Sequence, residues 1–149
     1  MFRRLRDRNI VVVAAMGNEY EEGNPTGFPA AYQDVIAVGA ISSELRRASF
    51  SNTGRHIWVV APGVDILSTV PMKKSSYREE TKYASWNGTS MATPHVTGAV
   101  ALYRAKKPRA TFDQVANALK RTAKKLPQMR RKSFTPELGH GLVYLPSLL

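Results

Sequence analysis

Three short apolar runs, Ile10 to Ala15, Val35 to Ala40 and Ile57 to Val60, constrain the fold of this chain more than any other feature. They are built from β-branched and small residues without polar alternation, and turn formers follow them: Gly17-Asn18 after the first, Pro62-Gly63 after the third. A strand that is apolar on both faces must be covered on both faces, which is the situation in a parallel sheet between helical layers. Cover is supplied further along. Ala92, Val96, Ala99, Val100 and Tyr103 recur at helical spacing and predict a buried helix starting at Thr89, with small residues that allow close packing on a sheet. Thr111 to Lys125 reads as a second helix, with Thr111 as N-cap and Val115, Ala118, Leu119 and Thr122 on one face. Residues 3 to 9 read as the polar end of a helix, 19 to 29 as a surface loop, 47 to 52 as a polar turn, and 139 to 149 as a short apolar strand or turn. The expectation is an α/β layered fold with a largely parallel sheet, all of residues 1–149 belonging to one domain.

The chain has 149 residues, 43% of them hydrophobic, enough for one globular core. It has no cysteine, so neither disulfides nor thiolate metal sites contribute. Lys and Arg number 22 against 11 Asp and Glu, a formal charge of +11, which raises the question of an anionic partner. The basic residues gather at Arg3, Arg4, Arg6 and Arg8 and along Lys106 to Lys132, without the interleaved aromatics that serve as base-stacking platforms. They are read as a solvated face, and no nucleic acid is expected as partner. The N-terminus imitates a signal peptide, but its apolar core is short and Gly17-Asn18-Glu19 is a poor cleavage site, so none is assigned. No run reaches the roughly 18 to 20 residues of a membrane span, and no membrane partner is expected.

The chemistry concentrates in Asn87-Gly88-Thr89-Ser90-Met91-Ala92-Thr93-Pro94-His95, which puts a serine in the first turn of the predicted helix behind a glycine. There the free N–H groups and the helix dipole favour negative charge, so the Ser90 N–H suits an oxyanion while its hydroxyl attacks. Pro94 is expected in the same first turn, where a missing donor costs nothing. Taken by itself, the segment leaves open a Ser/Thr-rich N-cap with no catalytic part.

Gly88 to His95 resembles the catalytic-serine motif of the subtilisin-like serine proteases at every position. Upstream, Val11 to Glu19 resembles the family's strand that ends in the oxyanion-hole asparagine. Phe28-Pro29-Ala30 with Val35 to Ala40, then Ala48 to Asn52, then Val60 to Gly63, continue the pattern in order. Gly139-His140-Gly141-Leu142-Val143 is similar to the end of the catalytic domain, so the resemblance covers nearly the whole chain. It implies the C-terminal portion of a three-layer fold whose N-terminal strands are absent here. It also implies that Ser90 forms an acyl-enzyme on a polypeptide substrate and that Asn18 donates to the oxyanion. Ala15, Met16, Gly17 and Gly27 occupy positions that line the family's pocket for the residue before the scissile bond, with a large apolar side chain as the expected guest. Backbone carbonyls near Ala30, Tyr32 and Val35 resemble a weak calcium site of some members; no other cofactor is implied. Secretion is common in the family.

A serine hydroxyl needs a base within about 2.6–3.2 Å. His95 is five residues beyond Ser90 on the predicted helix, about 7.5 Å along the axis and roughly 140° around it, which excludes it. His56 and His140 lack the family's His-Gly-Thr context, and Asp34, Asp65 and Asp113 all follow the oxyanion strand, whereas the family's aspartate and histidine precede it. The expectation is a truncated protease that alone is inactive, with apolar strands exposed where the N-terminal half would lie and with that half as a possible partner in trans. Two other readings remain at this point: a catalytically silent relic that keeps the peptide cleft, and a basic nucleic-acid-binding protein supported by charge alone.

Overall fold

The computed structural model describes residues 1–76 and 78–149. In chain order, helix α1 (Phe2–Asp7) precedes strands β1 (Val12–Ala15), β2 (Val35–Ile41), β3 (Ile57–Pro62), β4 (Ile66–Val70) and β5 (Lys82–Trp86). Helices α2 (Thr89–Lys106), α3 (Phe112–Thr122) and α4 (Leu145–Leu148) follow. Strands β1, β2 and β3 form a parallel sheet in that order, with Val12 opposite Val35 and Ala40 opposite Ala61. The α/β fold with a parallel sheet is therefore the one the apolar runs require.

Alternate residues of the central strand face two separate cores. Ile36, Val38 and Ala40, with Val59 and Ala61 of β3, pack under α2 and α3 against Ala92, Val96, Ala99 and Leu119. Val35, Ala37 and Ile41, with Ile57 and Val60, point the other way onto Leu126, Met129 and Leu138. All seven residues of β2 are buried. The expected exposure of Val35 to Ala40 is thus corrected: residues 126–138 cover the face opposite α2. The expectation of a fully buried first strand is corrected as well. Of β1 only Ala14 is buried, because no strand pairs with its outer edge among the described residues. The outer edge of β3, by contrast, is closed by the C-terminal segment, where the Val60 N–H donates to the Gly141 carbonyl at 3.0 Å and Val143 donates back to Val60 at 2.9 Å.

The helical readings hold except at one end: the second helix stops at Thr122 rather than Lys125, because the Lys124 backbone pairs with Leu142 instead. Ala92, Val96, Ala99, Val100 and Tyr103 are the apolar buried face of α2. Thr111 caps α3 in a reciprocal box: its hydroxyl accepts from the Gln114 N–H, and the Gln114 side chain accepts from the Thr111 N–H at 2.8 Å. Thr111→Ala is expected to lower stability by about 1 kcal/mol, read by urea denaturation, because the Gln114 N–H loses its acceptor. The antiparallel hairpin of β4 and β5 was not anticipated, since Ile66-Leu67-Ser68-Thr69-Val70 has no long apolar run and its side chains are largely exposed. Ser51 and Asn52, read as part of a polar turn, are fully buried: the Ser51 hydroxyl accepts from the Ala40 N–H at 3.1 Å and the Asn52 amide nitrogen donates inside the fold, while Asn52 Oδ1 is buried without a partner among the described residues. Helix α1 is tied down by Arg6, which donates to Asp34 at 2.7 Å and to both oxygens of Asp113 at 2.6 and 2.7 Å. Asp34 and Asp113 are thereby engaged in structure.

Candidate active site

The site forms where the end of β1 meets the N-terminus of α2. Gly88 precedes the helix with a φ of 156°, a backbone state that side chains rarely allow, and offers no side chain to cap it. The cap comes from another loop. Asn18 Oδ1 accepts from the Thr89 N–H and from the Thr89 hydroxyl, both at 2.9 Å. Since a backbone N–H can only donate, the oxygen of the Asn18 amide must face Thr89 and its Nδ2 must point the other way. Thr89 Oγ1 also accepts from the Gly17 N–H at 3.2 Å, so the turn and the helix clasp each other.

Two donors are left without partners. Met91 and Ala92 both donate to the Gly88 carbonyl at 3.0 and 3.3 Å, whereas the Ser90 N–H and Asn18 Nδ2 donate to no described residue. Both belong to residues that are exposed, as is the Ser90 side chain. An unpaired N–H at a helix N-terminus together with an unpaired amide donor is the arrangement that stabilises a developing oxyanion.

Residues behind Asn18 hold its loop in place. Glu19 Oε2 accepts from the Asn18 N–H at 2.8 Å and from Asn52 Nδ2 at 3.0 Å. Asn52 in turn donates its N–H to the Gly17 carbonyl at 3.0 Å and its amide to the Pro25 carbonyl at 3.2 Å. Arg47 completes the brace: one nitrogen donates to the carbonyls of Ala48, Ser49 and Ser51, and its guanidinium lies 3.8 Å from the Tyr20 ring centre. The sequence reading missed Thr89, Glu19 and Asn52 as positioning groups. Thr89 and Asn52 were visible as members of matched motifs, but nothing in spacing alone shows that Asn52 reaches back over 33 residues to Glu19.

Pro94 is not in the first turn. It is the sixth residue of α2, so its absent N–H leaves the Ser90 carbonyl without an intrahelical partner, a correction to the sequence expectation. Met16 also departs from its expected part. It is 1% exposed and its side chain packs in the second core, so the pocket expectation does not hold for that side chain. Ala15 lines a groove with Val13, Ser90, Thr93 and Pro94, and Gly27 lies where an added Cβ would be 3.4 Å from the Met16 carbonyl.

Among the described residues, no histidine, aspartate or glutamate lines the groove that holds Ser90. His95 Nδ1 contacts the Met91 carbonyl at 3.0 Å, within its own helix. His56 and His140 line a different cavity beside Trp58, and burial pushes both below the usual imidazole value. No helix among the described residues is long and apolar enough to cross a membrane.

Comparison with known proteins agrees with this geometry. The subtilase family (peptidase S8) matches residues 2–141. Subtilisin DY of Bacillus licheniformis is 50% identical over 119 residues, covering 78% of this chain and 40% of the relative. Alkaline elastase YaB of Bacillus sp. (strain YaB) is 46% identical over 134 residues, covering 90% of this chain and 31% of the relative. Among solved structures, fervidolysin of Fervidobacterium pennivorans, a keratinolytic enzyme related to subtilisin, superposes with a TM-score of 0.87 at 34% identity, over 99% of this chain and 23% of its own. The chain thus spans less than half the length of the relatives it matches. With the family matched over nearly all its residues and the fold shared, the chain belongs to the subtilase family of serine endopeptidases.

Proposed function

We propose that this chain carries the acylating portion of a subtilisin-like serine endopeptidase. Ser90 Oγ attacks the carbonyl carbon of a peptide bond, and the negative charge on the former carbonyl oxygen is held by Asn18 Nδ2 and the Ser90 N–H. The hydroxyl proton passes to a histidine oriented by an aspartate, both supplied by residues outside this sequence, in cis or by an N-terminal half in trans. That proton then goes to the departing amine as the peptide C–N bond breaks, and water releases the acyl group by the same steps. The observation that carries this reading is the pair of unengaged donors beside the unengaged Ser90 hydroxyl, with Asn18 held by Thr89 in the one amide orientation that frees Nδ2. The substrate is a polypeptide. Ala15, Gly17, Gly27 and the backbone of Met16 are assigned to the pocket for a large apolar side chain before the scissile bond. Secretion belongs to this reading through the family resemblance.

A second reading, a catalytically silent subtilase segment that keeps the cleft, is favoured by one observation: among the described residues no basic group lines the groove with Ser90. A fluorophosphonate probe separates the two. The chain alone is expected to stay unlabelled, because nothing takes the Ser90 proton. Mixed with the N-terminal half of a subtilisin carrying the aspartate and histidine, it is expected to be labelled at Ser90, and Ser90→Ala removes the label. An associated but unlabelled complex would favour the silent segment, while stoichiometric labelling of the lone chain would mean that one of its own groups acts as base.

A further inference from the structure

The carbonyls of the Ala30 to Val35 loop, which resemble a calcium site, can be tested against the side chains around them. A cavity of about 240 Å³ lies beside residues 31–33 and is lined by Arg55, His56, Trp58, Lys120, Phe134 and His140. No carboxylate among the described residues lines it. The loop's acid, Asp34, is paired with Arg6 at 2.7 Å, and the Tyr32 carbonyl accepts the Val35 N–H at 3.1 Å. Calcium needs six to eight hard oxygen ligands, usually including carboxylates. A cavity faced by an arginine, a lysine and two imidazoles presents the opposite charge. The residues do not fit the cation.

We propose that this cavity instead binds a small oxyanion, held by Arg55, Lys120 and the rings of His56 and His140 beside Trp58 and Phe134. The groups converge from separate parts of the chain: Arg55 and His56 lead into β3, Lys120 is on α3, and His140 comes from the C-terminal segment that closes the sheet edge. The His140 ring lies 5.2 Å from Phe134 and 6.2 Å from Trp58, centre to centre. Its Nδ1 faces the Ser133 carbonyl at 3.2 Å and therefore carries the proton of the neutral ring, so Nε2 becomes a donor only when the ring is protonated. His56 Nε2 is buried without a partner among the described residues.

The charged groups around the rings set the pH dependence. Burial lowers the His56 value, and burial together with Lys120 and Lys125 lowers that of His140; Arg55 adjoins His56, and Lys125 also donates to the His140 carbonyl at 2.5 Å. Burial and these cations oppose protonation, and for His140 they outweigh the hydrogen bond to the Ser133 carbonyl, which favours it. A bound anion reverses the balance, so binding strengthens as pH falls below the ordinary imidazole value of about 6.5.

Trp58 provides the readout, since the chain has two tryptophans and Trp86→Phe leaves Trp58 as the emitter. The full chain in this background is titrated with sulfate, whose charge is the same at both pH values, at constant ionic strength, at pH 6 and pH 8, and separately with calcium chloride. The expected result is a saturable change in Trp58 emission with sulfate that is tighter at pH 6. Arg55→Gln with Lys120→Gln, both exposed side chains whose exchange leaves the circular dichroism unchanged, should weaken it at least about tenfold, the loss of a charge-assisted hydrogen bond. A saturable response to calcium, no response to sulfate, or a sulfate response indifferent to the double exchange would overturn the proposal. Ser90 has no part in the measurement, so the outcome is independent of the peptidase reading.

Discussion

Asn18→Ala is expected to lower kcat by roughly 10²–10³ in the chain complemented with the aspartate- and histidine-bearing half, with KM little changed. The magnitude is carried over from subtilisin itself, where removing the equivalent donor has that effect; the geometry here supplies the reason it should transfer. Asn18 Nδ2 is held free by two hydrogen bonds into Oδ1, from the Thr89 N–H and hydroxyl. The same two bonds make Asn18 the external cap of α2, so the alanine variant loses stability as well, about 1 kcal/mol by analogy with other caps. Asn18→Asp separates the two effects. The carboxylate still accepts from Thr89, which preserves the cap, but it turns an acceptor with negative charge toward the oxyanion in place of a donor. Its kcat should therefore fall at least as far as that of the alanine variant while its denaturation midpoint stays near the parent's. If the aspartate variant kept its rate, the second donor would not be Asn18.

Gly63→Ala is the other large effect, and it is located away from the reacting atoms. A Cβ at position 63 would lie 2.6 Å from the Ala40 Cβ and 2.7 Å from the Gly88 carbonyl oxygen. Neither neighbour is a flexible side-chain end. The Gly63 carbonyl also accepts from the Gly88 N–H at 2.8 Å, which ties the end of β3 to the residue before the helix that carries Ser90. The added methyl must push Gly88 away, and with it Thr89, Ser90 and the cap on Asn18. Overpacking of this kind costs about 1–3 kcal/mol in stability. A displacement near 1 Å at the nucleophile lowers the rate by about 10². Both are measurable in the complemented enzyme, by thermal melting and by the acylation rate with a fluorophosphonate. A variant that melts lower but acylates at the parental rate would show that Gly63 supports the core without setting the position of Ser90.

The parts legible in the sequence were those governed by local physical chemistry. Three β-branched runs without alternation can be buried only in a sheet covered on both faces, and the structure has that sheet. The spacing of Ala92, Val96 and Ala99 specifies a helix face because 3.6 residues make a turn, and Thr111 caps because its hydroxyl reaches the next free N–H. The serine-bearing helix N-terminus was legible for the same reason. Tertiary structure alone decided the contacts whose partners are far apart in sequence. Val11 to Ala15 has the composition of a central strand, yet β1 is an edge, since composition cannot say whether a neighbour pairs with it. Met16 turned into the core, and Ser51 and Asn52 were buried, because their partners lie in other segments of the chain. The Asn18 amide has one orientation only because the N–H of a residue 71 positions later faces it. Spacing sets which way a side chain points along its own element; only closure of the chain decides what stands opposite, and the unpaired donors beside Ser90 and the cationic cavity are both matters of what stands opposite.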